Sequence, residues 1–357
     1  MTIPVRQSAG PLDPVVAKAR TALRRMLEPV LTGDPDELVL VACSGGPDSL
    51  ALAATAAFVV PRLGARAGAV IVDHGLQAGS AAAAQTAAEE CRALGLNPVT
   101  VITTAVDLGP GSGGLEAAAR TARYSALREQ QSAHGARAIL LGHTLDDQAE
   151  QVLLALARGS GTRSIAGIPA QRAPFYRPFL GLRRSETLHI CDHLQLTTWL
   201  DPTNELPAQI AGDEAPSLSD LPRRTVVRNV LLPELEKHLG PGIATALART
   251  ADLARDDDTA LSDLATNLLR EATTLRGEER WELDCDVLLT ASRAVRTRAL
   301  RQACIELGVP SGALAQVHVA ALEDLVINWH GQGPVDLPGS HQGRRQYGTL
   351  SLYLYAS

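Results

Sequence analysis

The chain has no run of about 20 consecutive apolar residues, the length that an α-helix needs to cross a bilayer. Its first thirty residues include Asp13, Lys18 and Glu28 and lack the apolar core of a signal peptide. Cysteine pairs are missing too. The five cysteines are scattered and form no C-x-x-C motif, which argues against a disulfide framework, a zinc ribbon and an iron–sulfur centre. Together these absences predict a soluble, cytoplasmic protein.

Lysine is nearly absent, since Lys18 and Lys237 are the only lysines among 33 basic residues. The 39 acidic residues bring the net charge to −6, which speaks against a nucleic-acid partner because phosphate binding draws on positive charge. Residues 151–185, however, contain no acidic residue. We call this segment the arginine window, and it holds Arg158, Arg163, Arg172, Arg177, Arg183 and Arg184. A solvated surface and a phosphate-binding surface are both open interpretations of it.

The 357 residues, of which 45% are hydrophobic, suffice for two globular domains. A loose, proline-containing leader at 1–16 overlaps the start of a helix predicted at about 15–31. Apolar strands then alternate with helices. We expect strands at 38–43, 68–73, 98–103 and 138–141, and helices at 49–60, 80–94, 114–133 and 144–157. This alternation predicts an α/β fold with a doubly wound, mostly parallel sheet, in which ligands bind beyond the carboxyl ends of the strands.

The pattern changes after residue 200. Residues 202–223 carry four prolines and many polar residues, which indicates a flexible insertion within a first domain at 17–239. A smaller second domain at 240–357 is predicted to be mainly helical. One helix face carries Leu300, Cys304 and Leu307, and another carries Leu314, Val317, Ala321 and Leu325. From Val335 onward apolar residues alternate with polar ones, so a small β element closes the domain.

A short loop, Ser44-Gly45-Gly46-Pro47-Asp48-Ser49, separates the first predicted strand from its helix. A loop at this junction exposes backbone N–H groups, and the following helix points the positive end of its dipole at them. The loop is not a Walker A loop, because it has no lysine, and it is not a G-x-G-x-x-G motif. An ordinary tight turn would explain Ser-Gly-Gly alone. The whole hexapeptide favours a phosphate cradle in which Asp48 supplies a carboxylate for Mg²⁺.

Three acidic residues open the helix predicted at 144–157. Asp147 and Glu150 are three residues apart and project from one side of that helix, while Asp146 lies in its first turn. Two carboxylates beside a phosphate site need a cation, either Mg²⁺ or the ammonium group of an amino-acid substrate. The alternative is that these acids only stabilise the helix N-terminus.

Two histidines follow apolar strands, where loop residues face the ligand crevice: His74, which follows Asp73, and His143. Each is a candidate ligand contact, although a lone histidine is often structural. Arg120 and Arg123 lie on the helix predicted at 114–133. They would neutralise phosphate, or else form ion pairs with neighbouring acids.

Several of these segments resemble one protein family. The glycine loop resembles the SGGxDS motif of the PP-loop (N-type) ATP pyrophosphatases, which cleave ATP between its α and β phosphates. Further segments resemble, in order and spacing, the tRNA(Ile)-lysidine synthetases. These segments are Val72–Gln77, Leu115–Arg120 with Arg123-Tyr124, Gly142–Glu150, Ala157–Gly161, Arg177-Pro178 and Asp201–Asn204. The resemblance covers about 38–235 and extends more weakly into the second domain through Asp336–Gly339 and Arg344–Gly348.

The resemblance implies that 17–239 is an ATP-pyrophosphatase catalytic domain and that 240–357 binds tRNA. It implies an ATP-dependent ligase that adenylates the carbonyl oxygen of the wobble cytidine in a tRNA(Ile) with a CAU anticodon. Free L-lysine then displaces AMP and leaves lysidine. ATP and Mg²⁺ are the implied cofactors, and the tRNA and lysine are the implied partners. Whether the chain forms a homodimer is left open.

The resemblance also implies roles for individual residues. Catalysis is assigned to Asp48, Asp147, Glu150 and His143, and Mg²⁺ binding to Asp48 and Asp147. ATP binding is assigned to Ser44, Gly45, Gly46, Pro47, Asp48, Ser49, Asp73 and His74. Binding of lysine or tRNA is assigned to Asp147 and Glu150 together with Arg120, Arg123, Arg158, Arg163, Arg177, Arg224 and Arg228. The sequence departs from the family at Thr225, where asparagine is usual, and in the lengthened approach at Glu205–Pro222.

Three other interpretations stay open at the level of sequence. Another PP-loop enzyme, such as a tRNA thiolase, would share the loop, although thiolases that use clusters carry C-x-x-C pairs. A dinuclear metal phosphoesterase would use Asp73, His74, His143, Asp146 and Asp147 as ligands. A non-catalytic protein would use residues 240–357 to bind tRNA on a nucleotide-sensing scaffold.

Overall fold

The computed structural model describes residues 12–75, 79–104, 115–159, 161–199 and 221–355. The chain divides into two compact units, Met1–Asp252 and Leu253–Ser357, and each is described by itself. This division falls inside a long helix, whereas the sequence-based boundary at 240 precedes that helix. Some predicted features lie outside the described residues. They are the leader up to residue 11, Leu76-Gln77, Gly113-Gly114, the side chain of Glu116, Ser160, Asp201–Asn204 and the insertion up to residue 220.

In the described part of the first unit, the strands form one six-stranded sheet. They are β1 (Leu38–Ala42), β2 (Arg66–Asp73), β3 (Val99–Thr103), β4 (Ala138–Leu141), β5 (Gln171–Arg172) and β6 (Phe175–Tyr176). The strand order is β3-β2-β1-β4-β6-β5, and each neighbouring pair except β5–β6 is parallel. The predicted mostly parallel, doubly wound sheet is confirmed. Because parallel strands share one carboxyl edge, the glycine loop, His74 and His143 all follow that edge.

β1 lies in the interior of the sheet and is buried on both faces. Val39 and Val41 belong to one apolar cluster together with Leu50, whereas Leu40 belongs to the cluster on the opposite face together with Leu127. Alternate side chains of a strand point to opposite faces, so a continuous apolar run suits a strand covered on both sides. Each fully buried side chain of this size contributes about 1.5–3 kcal/mol. The strand end that leads into the glycine loop is therefore firmly held.

Helices alternate with the first four strands along the chain, and further helices come after them. They are α1 (Pro14–Leu27), α2 (Pro47–Val59), α3 (Ser80–Ala93), α4 (Leu115–Ala133), α5 (Leu145–Ala157), α6 (Thr162–Ile165), α7 (Arg184–His193), α8 (Arg223–Val226), α9 (Leu232–Leu239) and α10 (Ile243–Ala272). α1 ends at Leu27 instead of residue 31, because Pro29 has no N–H with which to continue the helical ladder. None of the described helices is long and apolar enough to span a membrane.

β5, β6 and α7 were not predicted. The two strands are each two residues long, too short to show an alternating pattern. α7 begins where the Glu186 carboxylate accepts the backbone N–H of Arg183 at 2.7 Å, an N-terminal capping contact. This helix carries Arg184 in its first turn and so brings part of the arginine window back to the sheet edge.

α8 and α9 are joined by a π-helical turn at Val227–Leu231, so residues 223–239 form one uninterrupted helical segment. π-helical turns of this kind are frequent at functional sites. Here the turn begins three residues after Arg224 and contains Arg228. Both arginines point toward the carboxylate of Glu150 on α5.

Besides the carboxyl-terminal part of α10, the described residues of the second unit form an antiparallel sheet and three further helices. The strands are β7 (Thr273–Arg276), β8 (Arg280–Asp284), β9 (Val335–Leu337), β10 (His341–Gln346) and β11 (Thr349–Leu354), in the order β7-β8-β11-β10-β9. The helices are α11 (Cys285–Leu289), α12 (Arg293–Glu306) and α13 (Gln316–Ile327). The terminal β element is confirmed, but it is larger than predicted because the hairpin β7–β8 joins it.

One predicted helix face of the second unit was wrong at a single residue, whereas Leu314 and Leu325 of that face are buried as predicted. Val317 was expected on the buried face of α13, yet it is 68% exposed. The helix begins only at Gln316, so Leu314 precedes it and the buried face follows a different register. That face consists of Val319, Leu322, Leu325 and Val326.

Candidate active site

The glycine loop joins the carboxyl end of β1 to the N-terminus of α2. Gly45 has φ +82°, a conformation that favours glycine, and a Cβ at this position would lie 3.1 Å from the Cβ of Ala87. The Ser49 hydroxyl donates to the Gly46 carbonyl at 2.9 Å and accepts the N–H of Ser44 at 3.1 Å. Gly46 is the N-cap of α2 and Pro47 is its first residue. The positive end of a 13-residue helix therefore faces the loop.

Gly142, at the end of β4, packs directly against this loop. A Cβ built on Gly142 would lie 3.0 Å from both the carbonyl carbon and the oxygen of Asp48, and 3.2 Å from the Cα of Ser49. These atoms belong to the backbone, so no side-chain rotation would relieve the contact. The glycine of the Gly142-His143 segment thus fixes the distance between β4 and the loop.

We expect Gly142→Ala to displace Asp48 by a few tenths of an ångström and to lower the rate of ATP cleavage about tenfold, because catalysis is sensitive to such shifts. Overpacking should also destabilise the first unit by about 1–3 kcal/mol. Pyrophosphate release and a thermal melt measure the two effects. Gly181→Ala is the matched control, since a Cβ at Gly181 meets nothing within 4 Å. Equal activity of the two variants would contradict the close approach.

Asp147 and Glu150 project from one side of α5, and both are buried, with 7% and 0% of their surface exposed. One oxygen of Asp147, Oδ2, accepts the N–H of Thr144 at 2.7 Å and its hydroxyl at 2.9 Å. Asp147 therefore does stabilise the helix N-terminus, as the structural alternative supposed. Its other oxygen and the whole Glu150 carboxylate face away from that cap and take different partners.

Three arginines, Arg184, Arg224 and Arg228, surround these two carboxylates. Glu150 accepts the Nε of Arg224 and the Nε of Arg228, each at 2.7 Å. Asp147 Oδ1 accepts Nη2 of Arg224 at 3.0 Å and lies 3.5 Å from Nη2 of Arg228. Each of these two guanidinium groups therefore bridges both acids. Removing one partner from such a buried network leaves charges uncompensated, which typically costs 3–5 kcal/mol.

Arg184 connects this network to the glycine loop. Its guanidinium lies 3.3 Å from Asp147, 3.3 Å from Glu150 and 3.5 Å from Asp48 Oδ2. The Thr187 hydroxyl, one turn along α7, donates to the other oxygen of Asp48. Three carboxylates from two helices are thus joined by one side chain. We define Asp48, Asp147, Glu150, Arg184, Arg224 and Arg228 as the charged cluster, and it balances three negative against three positive groups.

The environments of Asp48 and Asp147 shift their pKa values in opposite directions. Burial raises the pKa of both carboxyls, but for Asp147 the charges of Arg224 and Arg184 outweigh burial and hold the pKa below its usual range. For Asp48 burial dominates over Arg184 and Thr187, so its pKa is raised. Asp147 is therefore a weak base, whereas Asp48 gains a proton more readily than a free aspartate.

His143 lies at the start of the acidic helix but is not charged. Burial, together with the positive charges of Arg177, Arg224 and Arg123, lowers its pKa to about 3, although Asp147 acts in the opposite direction. Its Nδ1 atom is buried and has no hydrogen-bond partner among the described residues. A neutral imidazole with an unsatisfied nitrogen at a ligand crevice is available for a hydrogen bond to substrate.

His74 lies outside the charged cluster, after β2. Its Nδ1 is 3.1 Å from the Thr104 hydroxyl, and burial followed by the charge of Arg123 lowers its pKa. Asp73 Oδ1 accepts the N–H of Gly75 at 2.9 Å. The charge of Arg123 helps to lower the pKa of both histidines. The ATP-binding roles assigned to Asp73 and His74 stay predictions.

The remaining arginines are placed differently from one another. Arg177 is only 5% exposed, and its guanidinium donates to the Pro169 carbonyl at 2.8 Å and the Tyr124 hydroxyl at 3.3 Å. Arg120 donates to the same hydroxyl at 3.3 Å. Arg158 and Arg163 are exposed beyond the end of α5. The arginine window is therefore divided between buried structural contacts and an exposed basic surface.

A cavity of about 180 Å³ adjoins the charged cluster. Its polar wall contains Asp146, Glu150, Arg183, Arg184 and Arg228, and its apolar wall contains Leu232, Pro233 and Ala244. The Nε of Arg183 is buried and has no hydrogen-bond partner in the described part of the chain. Paired charges on one side and apolar atoms on the other suit a small zwitterion with an aliphatic chain.

Sequence reasoning missed Arg184, Thr187 and Thr144 as members of the site. Arg184 was noticed only as one of several arginines in the arginine window. The sequence signal that could have found it is Glu186, whose carboxylate caps the helix that starts after Arg183. A capping residue marks the start of a helix and so indicates toward which side the residues of its first turn project. Pairings over 34 to 139 residues, such as Arg184 with Glu150 and Thr187 with Asp48, leave no local trace.

The chain and its fold are similar to those of known proteins. A family model described as a PP-loop domain matches residues 17–209, and one described as a TilS substrate binding domain matches residues 283–351. The fold resembles that of the U34-tRNA thiolase NcsA from Methanococcus maripaludis, with a TM-score of 0.52 at 16% identity over 71% of this chain and 89% of that one. At that identity the likeness shows the fold alone. The sheet and its loop thus define a PP-loop protein.

Relatives with similar sequences identify the family more narrowly than the fold does. The chain is 48% identical to the tRNA(Ile)-lysidine synthase of Thermobifida fusca, over 96% of this chain and 98% of the relative. It is 47% identical to the enzyme of that name from Streptomyces coelicolor, over 88% and 85% of the two chains. It is 46% identical to that from Leifsonia xyli subsp. xyli, over 89% and 90%. The chain belongs to the tRNA(Ile)-lysidine synthase family. The predicted family, fold and class of ATP-dependent ligase are confirmed, and the thiolase and phosphoesterase alternatives are not favoured.

Proposed function

We propose that this chain ligates lysine to the wobble cytidine of a tRNA(Ile) with a CAU anticodon, with ATP as the source of the leaving group. The observation that carries the proposal is the position of Arg184, whose guanidinium contacts Asp48 of the glycine loop as well as Asp147 and Glu150. The phosphate-binding loop and the acids expected to attract lysine therefore belong to one site. We propose the cytoplasm as its location and leave a homodimer as an open prediction.

ATP is proposed to bind with its phosphates against the glycine loop, where the N-terminus of α2 provides N–H groups and a positive dipole end. Asp48 and Asp147 are the proposed Mg²⁺ ligands. Among the described residues no group of three or more His, Cys, Asp or Glu side chains could hold a metal by itself. The Arg184 guanidinium contacts both Asp48 and Asp147, however, so the two carboxylates face one region, and Mg²⁺ commonly uses one or two carboxylates plus phosphate oxygens. When bound, Mg²⁺ offsets charge on the departing pyrophosphate.

The first step joins the wobble cytidine carbonyl oxygen to the α-phosphorus of ATP and breaks the bond to pyrophosphate. The second step joins the lysine side-chain nitrogen to the activated ring carbon and breaks the carbon–oxygen bond, so that AMP leaves with that oxygen. One proton is lost from the attacking amine. Arg184, Arg224 and Arg228 are proposed to stabilise the negative charge that develops on the phosphates, and their pairing with Asp147 and Glu150 holds them in place beforehand.

Lysine is proposed to occupy the cavity beside Glu150. Its methylene chain would contact Leu232 and Ala244, and Asp147 and Glu150 would attract its amino groups. Neither Asp147 nor His143 is a good base, because both have lowered pKa values. We therefore propose that the arginines themselves promote loss of the proton, since neighbouring positive charges lower the pKa of an ammonium group. Asp147 then orients the amine.

The tRNA is proposed to approach over the exposed arginines beyond α5, Arg158 and Arg163, where positive charge suits the phosphate backbone. Arg120 and Arg123 on α4 are further proposed contacts. The second unit is proposed to supply additional tRNA contacts. Its match to a substrate binding domain supports this proposal.

The proposal is tested by incubating the protein with ATP, labelled lysine and the CAU tRNA. We expect label to enter the tRNA, with one AMP and one pyrophosphate released for each lysine transferred. Omitting ATP, or replacing the wobble cytidine by uridine, should abolish the transfer. Pyrophosphate release that does not depend on tRNA, together with no incorporation of label, would refute the proposal.

A further inference from the structure

Aromatic residues make up only 3% of the chain, with three tryptophans and five tyrosines. Two of them nevertheless meet at one edge of the second unit. The rings of Trp329 and Tyr347 have centroids 6.5 Å apart and planes inclined by 57°. Tyr347 is 85% exposed. Folding gains little from a tyrosine that leaves most of its ring in water.

The backbone conformation of Tyr347 is also unusual for a tyrosine. Gln346 pairs with Thr349, so Tyr347 and Gly348 form the two-residue turn between β10 and β11. Tyr347 has φ +52°, a left-handed conformation that glycine or asparagine adopts far more easily than a bulky residue. An aromatic side chain kept at such a position indicates a role for the ring beyond closing the hairpin.

Arg345 contacts both Trp329 and the backbone of Tyr347. Its Nε donates to the Tyr347 carbonyl at 2.7 Å, and its Nη1 donates to the Val326 and Leu325 carbonyls at 2.6 and 3.1 Å. The same guanidinium lies 5.3 Å from the centroid of the Trp329 ring. We call Trp329, Arg345 and Tyr347 the aromatic corner. Because three backbone carbonyls fix the arginine, the corner is preorganised.

Trp329 provides the buried side of the corner. Its ring is partly buried against the apolar core of the second unit, and its indole N–H is buried with no partner among the described residues. The ring is therefore held by packing and by Arg345 rather than by a hydrogen bond. Tyr347 is the exposed member of the corner, and Arg344, the residue before Arg345 in β10, is exposed as well.

We propose that the aromatic corner is a stacking site for one nucleobase of the tRNA that lies outside a base pair. A base that is not stacked within a helix offers a flat face of the size of the tyrosine ring, and a nearby guanidinium favours both the ring and the phosphate next to the base. This inference rests on the proposed function, because it takes tRNA as the ligand. It adds to that function a specific contact far along the chain from the charged cluster.

The test compares three variants for binding of the CAU tRNA. Tyr347→Ala should raise the Kd about tenfold, as expected for the loss of one base–aromatic stack. Tyr347→Phe keeps the ring and should stay within about twofold of the unchanged protein. Tyr355→Ala is the matched control and should bind normally, since Tyr355 is another exposed tyrosine that follows the opposite end of the β10–β11 hairpin. The KM for ATP and the melting temperature should not change in any variant.

The base itself can be located with tRNAs in which single nucleotides outside base pairs are made abasic one at a time. One position should weaken binding to the unchanged protein and have no further effect on Tyr347→Ala. Normal binding by Tyr347→Ala, an equal loss in Tyr347→Phe, or fully additive effects at every abasic position would overturn the inference. Lysine transfer by the unchanged protein is read separately, so failure of the stacking site and failure of the proposed function are distinguishable.

Discussion

Replacing Glu150 by glutamine should reduce lysine transfer by at least about 100-fold and destabilise the first unit by about 3–5 kcal/mol. Glu150 is fully buried and accepts from Arg184, Arg224 and Arg228. Glutamine has nearly the same shape but no charge, so three guanidinium groups would lose the counter-charge that they share at a fully buried position. The lysine amine would lose an attracting carboxylate at the same time. Steady-state transfer of labelled lysine and a thermal melt measure the two effects.

Glu323→Gln is the matched control for this variant. Glu323 is 3% exposed and pairs with Arg293 and Arg296 at 2.9 and 3.0 Å, so its replacement removes another buried carboxylate that two arginines share. We expect a comparable loss of stability but little change in turnover at saturating tRNA and a temperature well below the melt. Should both variants lose lysine transfer to the same extent, the effect of Glu150 would be one of stability alone.

Replacing Asp48 by asparagine should lower pyrophosphate release about 100- to 1000-fold while leaving the fold at least as stable as before. Asp48 is the carboxylate of the glycine loop, and burial raises its pKa, which means that its charge is held at a cost to stability. Asparagine relieves that cost but removes the negative charge proposed to face Mg²⁺ and phosphate. Loss of activity with retained stability is typical of a residue kept for function.

Asp192→Asn serves as the control for Asp48, because Asp192 is an exposed aspartate on α7. It should cleave ATP at the normal rate. Binding of the CAU tRNA to Asp48→Asn should persist, since the exposed arginines and the second unit are untouched. Normal pyrophosphate release by Asp48→Asn would show that the carboxylate of the glycine loop is not needed for the reaction.

The sequence was informative wherever the determining interactions are local. β1, β2 and β4 were predicted because each is a largely apolar run between turns, and a strand covered on both faces needs that composition. The glycine loop was recognisable because a phosphate cradle at a strand–helix junction requires small residues in consecutive positions. Asp147 and Glu150 were expected on one side of a helix from their spacing alone.

What the sequence did not reveal depends on chain segments that meet only in the folded protein. Arg184 joins Asp48 to Glu150 because α7 packs beside α2, and no local pattern encodes that contact. The close approach of Gly142 to the Asp48 backbone is another example, since it follows from the parallel pairing of β1 with β4. The exposure of Val317 is an error of a different kind. The helical period predicts which residues share the buried face only when the first residue of the helix is known.

The opposite shifts of Asp48 and Asp147 also arise from tertiary structure. Both are aspartates near the N-terminus of a buried helix, and the sequence assigned both to Mg²⁺. The difference is that Arg184, Arg224 and Arg228 all lie within 3.5 Å of Asp147, whereas Asp48 pairs with Arg184, at 3.5 Å. The number of guanidinium groups around each carboxylate therefore separates the electrostatic roles of two otherwise similar groups.

Mass analysis of nucleosides from the reacted tRNA tests the central claim most directly. After incubation with ATP and lysine, the account predicts that the wobble cytidine is replaced by a nucleoside heavier by one lysine less one water, and that Glu150→Gln leaves the cytidine unchanged. An unmodified wobble cytidine after incubation with active, folded protein, or a nucleoside that has gained sulfur instead of lysine, would contradict the account.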